Sequence, residues 1–159
     1  MSKRTFAILG GSLVSALCFV QMGQSAAPPG RYVINAGTVV DKRTKLIWEQ
    51  QSFPSSEGGA PAPMPLALTG AQAYCAVLTL GGLTWRLPTL KELATLVDVS
   101  VAPPGPTLDS TAFPTASATF TWSATPSVDT PGNTWGLDFS TATPGNDSPS
   151  QLHAYRCVH

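Results

Sequence analysis

Charge is scarce in this sequence, and what there is balances: 11% of residues are charged, nine basic against nine acidic. A chain this close to neutral has no bulk attraction for nucleic acid or an anionic membrane, so neither is expected as a partner. Histidine is rarer still. His153 and His159, both near the C-terminus, fall short even with Asp138 of the well-ordered set that zinc needs, and no acidic calcium loop is present, so no metal is expected. The sequence also has no phosphate-cradling loop, no dinucleotide glycine pattern and no Gly-x-Ser-x-Gly elbow, so neither a cofactor nor catalytic activity is expected. Its longest apolar run, residues 6–20, is broken by Gly10, Gly11 and Ser12 and is shorter than the roughly 20 residues a membrane-spanning helix takes. There is no internal repeat and no Gly-X-Y tract.

That apolar run follows Lys3 and Arg4 and precedes the small residues Gly23-Gln24-Ser25 and Ser25-Ala26-Ala27. Positive start, apolar centre and small-residue cleavage site together read as a signal peptide. Pro28 would directly follow the second cut, so cleavage after Ser25 is preferred. The expected organisation is a signal peptide at 1–25, a short leader at 26–30 and one domain at 31–159, with no membrane span once the signal is removed. Lipid attachment at Cys18 is disfavoured because Leu17 stands where a small residue is needed. Losing Lys3 and Arg4 leaves seven basic residues against nine acidic ones, a formal charge of −2. Losing Cys18 leaves only Cys75 and Cys157, which are expected to pair in an oxidising compartment; the alternative is two buried thiols.

The periodicity of the remaining chain predicts an α+β domain, two helices packed on a small, mainly antiparallel sheet. Thr38-Val39-Val40 and Leu46-Ile47-Trp48 read as a hairpin around Asp41-Lys42-Arg43-Thr44. Residues 52–65 are a Pro-, Gly- and Ser-rich loop. Thr69 with Gln72 and Thr89 with Glu92 have the spacing of capping boxes, each opening a helix. Ala71, Tyr74, Cys75 and Leu78 share one face of the first helix; Leu90, Leu93, Ala94 and Val97 repeat the spacing in the second. Gly81-Gly82 closes the first helix. After an irregular stretch at 99–118, Phe120 and Trp122, then Trp135, Leu137 and Phe139, alternate as half-buried strands. A last strand at about 152–158 carries Cys157.

Several of these segments resemble a known family in order. Gly37-Thr38-Val39-Val40-Asp41-Lys42-Arg43-Thr44-Lys45-Leu46-Ile47-Trp48 is similar to the opening of the Lcl C-terminal domain family. So are Tyr74-Cys75, Leu80-Gly81-Gly82 and Trp85-Arg86-Leu87-Pro88-Thr89 with Glu92-Leu93, then Leu108-Asp109, Phe113-Pro114, Trp122-Ser123-Ala124-Thr125 and Tyr155-Arg156-Cys157-Val158. The resemblance spans nearly the whole domain. It implies a bacterial, secreted or surface-exposed module; the family's named member is a trimeric collagen-like adhesin that binds sulfated polysaccharides. This chain has no collagen stalk and is slightly acidic after processing. The Arg86-Leu87-Pro88-Thr89 core with Glu92 is also distantly similar to formylglycine-generating-enzyme-like domains, which implies a C-type-lectin-like fold but no chemistry. That enzyme needs two free thiols, and both cysteines here are assigned to a staple. The Glu-Pro-Asn, Gln-Pro-Asp and Trp-Asn-Asp triplets of calcium-dependent lectins are missing.

Lys42, Arg43 and Lys45 form the one basic cluster and are the candidate ligand-binding residues, because guanidinium forks and ammonium groups suit sulfate or phosphate. Read from sequence alone, a solvated turn is favoured over a site, since Asp41 and Glu49 dilute the cluster. Trp48, Trp85, Trp122 and Trp135 have the rings to stack on sugars, but their alternation favours a core role. Arg86 and Arg156 sit among apolar residues and are expected in structural ion pairs, with Glu92 or Asp138 as partner. Trp85, Arg86, Leu87, Pro88, Thr89 and Glu92 are therefore a structural motif. The expected function is an exported binding or adhesion module that recognises a polysaccharide or another surface ligand, with loops 52–65 and 99–118 carrying contacts. The alternative is a structural envelope component that binds a protein partner. Homo-oligomerisation is compatible with either.

Overall fold

The β-prone start of the domain forms three strands: β1 (Tyr32–Asn35), β2 (Thr38–Asp41) and β3 (Ile47–Glu49), antiparallel in that order. The computed structural model describes residues 28–51 and 65–159; the signal-peptide reading and nearly all of loop 52–65 lie outside the described residues. Gly37 takes φ +77° in the short connection between β1 and β2, a left-handed geometry that costs other residues about 1 kcal/mol or more. The β2–β3 hairpin pairs Val39 with Trp48 and Val40 with Ile47, as the alternation predicts. The expected leader is partly a turn, with Arg31 donating its amide to the Pro28 carbonyl at 3.0 Å.

Helix α1 (Leu68–Val77) buries Leu68, Ala71 and Cys75. Its expected apolar face is correct, but its expected cap is not. The helix starts one residue before Thr69, with Ala67 as N-cap and no side-chain cap bond. Leu68 gives its amide to the Pro149 carbonyl instead, so a distant segment satisfies an end that Thr69 was expected to satisfy. The helix also ends before Gly81-Gly82, which form a separate 3-10 turn at Leu80–Gly82. Helix α2 (Leu90–Ala94) has the expected capping box: Thr89 Oγ1 accepts from the Glu92 amide, and Glu92 accepts from the Thr89 amide.

The second half forms another three-stranded antiparallel sheet: β4 (Phe120–Pro126), β5 (Thr134–Asp138) and β6 (Thr143–Asp147). The fold is thus α+β with two small sheets rather than one. Sequence reasoning missed β6 because Thr-Pro-Gly-Asn-Asp is poor strand material. Among the described residues it pairs only with β5, and an edge position tolerates Pro144, which has no amide to offer a second neighbour. The predicted last strand is instead a segment that stitches the two halves together. Trp122 donates its amide to Ala154 at 2.8 Å, while Glu49 donates to Cys157 at 3.0 Å and His159 to Ile47 at 2.8 Å.

Two apolar clusters fill the interior. One joins Val39, Trp48, Leu93, Leu96, Phe113 and Leu137 with Val158. The other surrounds the disulfide, which links Cys75 to Cys157 with Cα atoms 5.6 Å apart, and includes Trp85, Leu87, Trp122 and Tyr155. Trp48, Trp85 and Trp122 are core residues as expected, whereas Trp135 is only half-buried although Leu137 and Phe139 on the same run are buried. Among the described residues no helix is long and apolar enough to cross a membrane.

Gly136 has a packing role. A Cβ there would lie 2.4 Å from the Phe120 ring and 2.4 Å from the Thr121 carbonyl oxygen. A side-chain ring has room to rotate, but the carbonyl belongs to the paired strand and has no such freedom. Gly136→Ala should therefore lower stability by about 2 kcal/mol or more, an overpacking cost, read from the urea midpoint. An unchanged midpoint would show that β4 and β5 separate easily.

Candidate functional site

The β2–β3 turn exposes Lys42, Arg43 and Lys45 to solvent. Lys45 has φ 68°, one of two non-glycine residues with positive φ among the described residues, and its amide donates to the Asp41 carbonyl at 2.8 Å. The carboxylates expected to dilute this cluster are turned inward. Asp41 is fully buried and accepts from Arg31 Nε at 3.2 Å and from Arg31 Nη2 at 2.7 Å. Burial alone would raise its pKa, but the Arg31 hydrogen bonds and the Arg43 amide hold it below the usual carboxylate value. Its Oδ1 takes that Arg43 amide at 2.9 Å, which shapes the turn. Glu49 is also buried; it accepts from the Tyr74 hydroxyl at 2.8 Å and from the Cys157 amide at 3.3 Å. Desolvation pushes its carboxyl up despite those bonds. The turn's cations thus face water with their sequence neighbours' negative charge spent on internal partners.

The Trp85–Glu92 motif is a structural brace. Arg86 forms a bidentate pair with Glu92, Nη1 to Oε2 at 2.8 Å and Nη2 to Oε1 at 2.7 Å. Trp85 Nε1 donates to the Leu80 carbonyl at 3.0 Å, and Arg86 exchanges backbone hydrogen bonds with Val158. Leu87 is core, and the Pro88 carbonyl accepts from Ala124. The Arg86 guanidinium, helped by the Thr89 capping bonds, holds the Glu92 carboxyl down at about 2, against an ordinary value of 4.5. A depressed folded-state pKa stabilises above the unfolded value and loses that contribution as pH falls through the folded one. With the Arg86 side chain 52% exposed, solvent screening reduces the contribution to roughly 1 kcal/mol. Glu92→Gln should cost that amount at neutral pH and nearly nothing at pH 2, measured by urea unfolding across the range. A gap that persists in acid would rule out the ion pair as its source.

Arg156 does not pair with Glu92 or Asp138 as expected. It is buried, donates from Nη1 to the Glu49 and Gln50 carbonyls, and lies 4.5 Å over the Phe113 ring. Desolvation lowers its pKa to about 10 against the pull of Glu49. His153 bonds Asp147 through Nε2 at 2.9 Å and lies against the Phe120 and Trp122 rings. Among the described residues no three metal-binding side chains converge.

The site that sequence reasoning missed is a groove of about 870 Å³ between α2 and the β5–β6 turn. Leu90, Ala94 and Val97 form one wall, while Leu137, Ala142 and Pro144 form the other. Arg43, from the basic turn, and Lys91, from α2, also line the groove. Lys42 and Arg43 also line a neighbouring notch of about 330 Å³ against residues 28–31; Lys45 lines neither. The spacing of Leu90, Ala94 and Val97 was visible in the sequence and read as core; Leu90 and Val97 do pack against the core beside buried Leu93 and Leu96, yet they are only half-buried and border the groove with exposed Ala94.

A model of the Lcl C-terminal domain matches residues 37–159. No curated protein matches the chain. The match starts at Gly37, where the resembling hairpin begins, and runs through the disulfide and the brace to the last residue. The chain therefore belongs to the Lcl C-terminal domain family.

Proposed function

We propose that this chain is an exported binding module whose β2–β3 turn recognises an anionic polysaccharide. The observation that carries the reading is the exposure of Lys42, Arg43 and Lys45 while Asp41 and Glu49 are buried and internally bonded. Lys91, also exposed, adds a fourth cation near the turn. None of the four takes part in a salt bridge among the described residues. A binding role rather than a catalytic one is supported by the employment of the perturbed groups: Asp41, Glu49, Glu92 and Arg156 are all engaged in internal bonds. Export, by cleavage after Ser25 to the periplasm, cell surface or medium, is supported by the N-terminal pattern and by the disulfide. Amino-terminal sequencing of the mature protein tests it. The C-type-lectin-like reading of the scaffold is supported by the resemblance of the Arg86–Glu92 motif and the α+β layout.

The purified protein should be retained on immobilised sulfated polysaccharide at low salt, released as salt screens the contacts, and pass through a neutral polysaccharide column. Lys42→Gln/Arg43→Gln/Lys45→Gln should lose retention. No retention of the unmutated protein would sink the reading. Lys45 allows a sharper test, because its left-handed backbone suits glycine. Lys45→Gly should raise stability by about 0.5–1 kcal/mol and still weaken retention. A stabilised variant with full retention would make Lys45 scaffold only.

One observation favours the protein-partner reading. Strand β1 is a sheet edge, with Val33 38% and Ile34 45% exposed, and such an edge can pair with another chain's strand. Stoichiometric co-purification of one envelope protein, without polysaccharide retention, would decide for it.

A further inference from the structure

We infer that the groove between α2 and the β5–β6 turn binds an anionic amphiphile, an alkyl chain ending in a carboxylate. Its volume of about 870 Å³ falls within the range of small-molecule sites, which are mostly apolar with few placed polar groups. The walls here are Leu90, Ala94, Val97, Leu137 and Pro144, and Val99, 93% exposed, extends the apolar rim. Among the described residues no carboxylate lines the groove, and its two cations, Arg43 and Lys91, take part in no salt bridge.

The hydroxyl groups offer a neutral sugar little. Three threonines line the groove, and each already makes an internal hydrogen bond. Thr89 Oγ1 bonds Glu92, Thr95 Oγ1 donates to the Glu92 carbonyl at 2.6 Å, and Thr125 Oγ1 accepts from the Leu90 amide at 2.9 Å. A polyhydroxylated ligand would lose hydrogen bonds to water and find few here, a net cost. An alkyl body loses nothing by entering, and its single charge is opposite in sign to the guanidinium and ammonium that line the groove.

The test is an amide NMR titration of the purified protein with three probes: dodecanoate below its micelle concentration, dodecyl maltoside and acetate. Dodecanoate should give saturable shifts at residues 90–97 and 137–144, while the maltoside and acetate should not. Arg43→Gln/Lys91→Gln should weaken dodecanoate roughly tenfold or more. Ala94→Phe, at an exposed position, should fill the groove and abolish binding while polysaccharide retention persists. Absence of saturable shifts, equal binding of the maltoside, or shifts confined to other residues would overturn the inference. Because the three probes are compared on the unmutated protein, the result does not depend on any variant folding. The inference stands apart from the polysaccharide reading: groove binding without column retention removes that reading alone, and the reverse removes this one alone.

Discussion

Replacing Cys75 and Cys157 together by alanine should lower the unfolding free energy by about 4.5 kcal/mol, the largest loss expected from any change described above. The bridge spans 82 positions, and closing a loop of that length removes about that much conformational freedom from the unfolded chain in the entropic account. A domain of this size has only about 5–15 kcal/mol in total, so the variant should stand near its folding threshold. The covalent tie also runs from the inward face of α1 to the segment that joins both sheets. Losing it therefore loosens the contact between the two halves as well as the chain ends. Both cysteines are fully buried, so the bridge of the folded protein should resist a water-soluble reductant until urea opens the domain. Chemical denaturation of the variant, together with reduction kinetics across urea concentrations, checks both points. A loss below about 1 kcal/mol would show that packing alone aligns these elements.

Asp41→Ala should cost about 3–5 kcal/mol, because it leaves the Arg31 guanidinium buried without its counter-charge. The side chains of the pair are 6% and 0% exposed. Arg31 cannot turn outward without also giving up the Thr95 carbonyl, to which Nη2 donates at 2.6 Å. The double variant Arg31→Met/Asp41→Leu should recover most of the stability, since two apolar side chains can replace a buried ion pair at little cost. Urea midpoints of the single and double variants make the comparison; a double variant as unstable as the single one would contradict the charge argument. The pair also bears on the site. Asp41 Oδ1 accepts the Arg43 amide, so the double variant should regain stability but not full polysaccharide retention. In acid the pair behaves as a depressed carboxylate does: its contribution is present above the ordinary aspartate value and is lost as pH falls below it.

Much of the frame was legible because its signals are local. Thr89 and Glu92 cap α2 whatever surrounds them, since both halves of the box lie within one turn. The β2–β3 hairpin follows from its own alternation, and Arg86 finds Glu92 only six residues away. The failures share one cause. Thr69 loses its capping role because Pro149, some eighty positions along the chain, offers a carbonyl to Leu68. Strand β6 exists because β5 presents an unpaired edge to an unpromising segment. Arg156 finds backbone carbonyls and Phe113 where Glu92 or Asp138 was expected, and Trp135 lies only partly covered while Leu137 on the same strand is buried.

The candidate site divides the same way. That Lys42, Arg43 and Lys45 gather on one turn can be read directly, as can the pairing of Cys75 with Cys157. Whether the turn's charge is available cannot, because Asp41 and Glu49 lie on the strands flanking the turn yet face inward, and the facing is set by Arg31 and Tyr74. The groove depends wholly on convergence, since residues 43, 90–97 and 137–144 meet only after both sheets and α2 have packed. The sequence alone determined the family, the disulfide partners and the short-range braces, whose interactions act within a turn or follow from counting. Tertiary structure decided which charges reach water and where apolar side chains remain uncovered, because both depend on which distant surfaces press together.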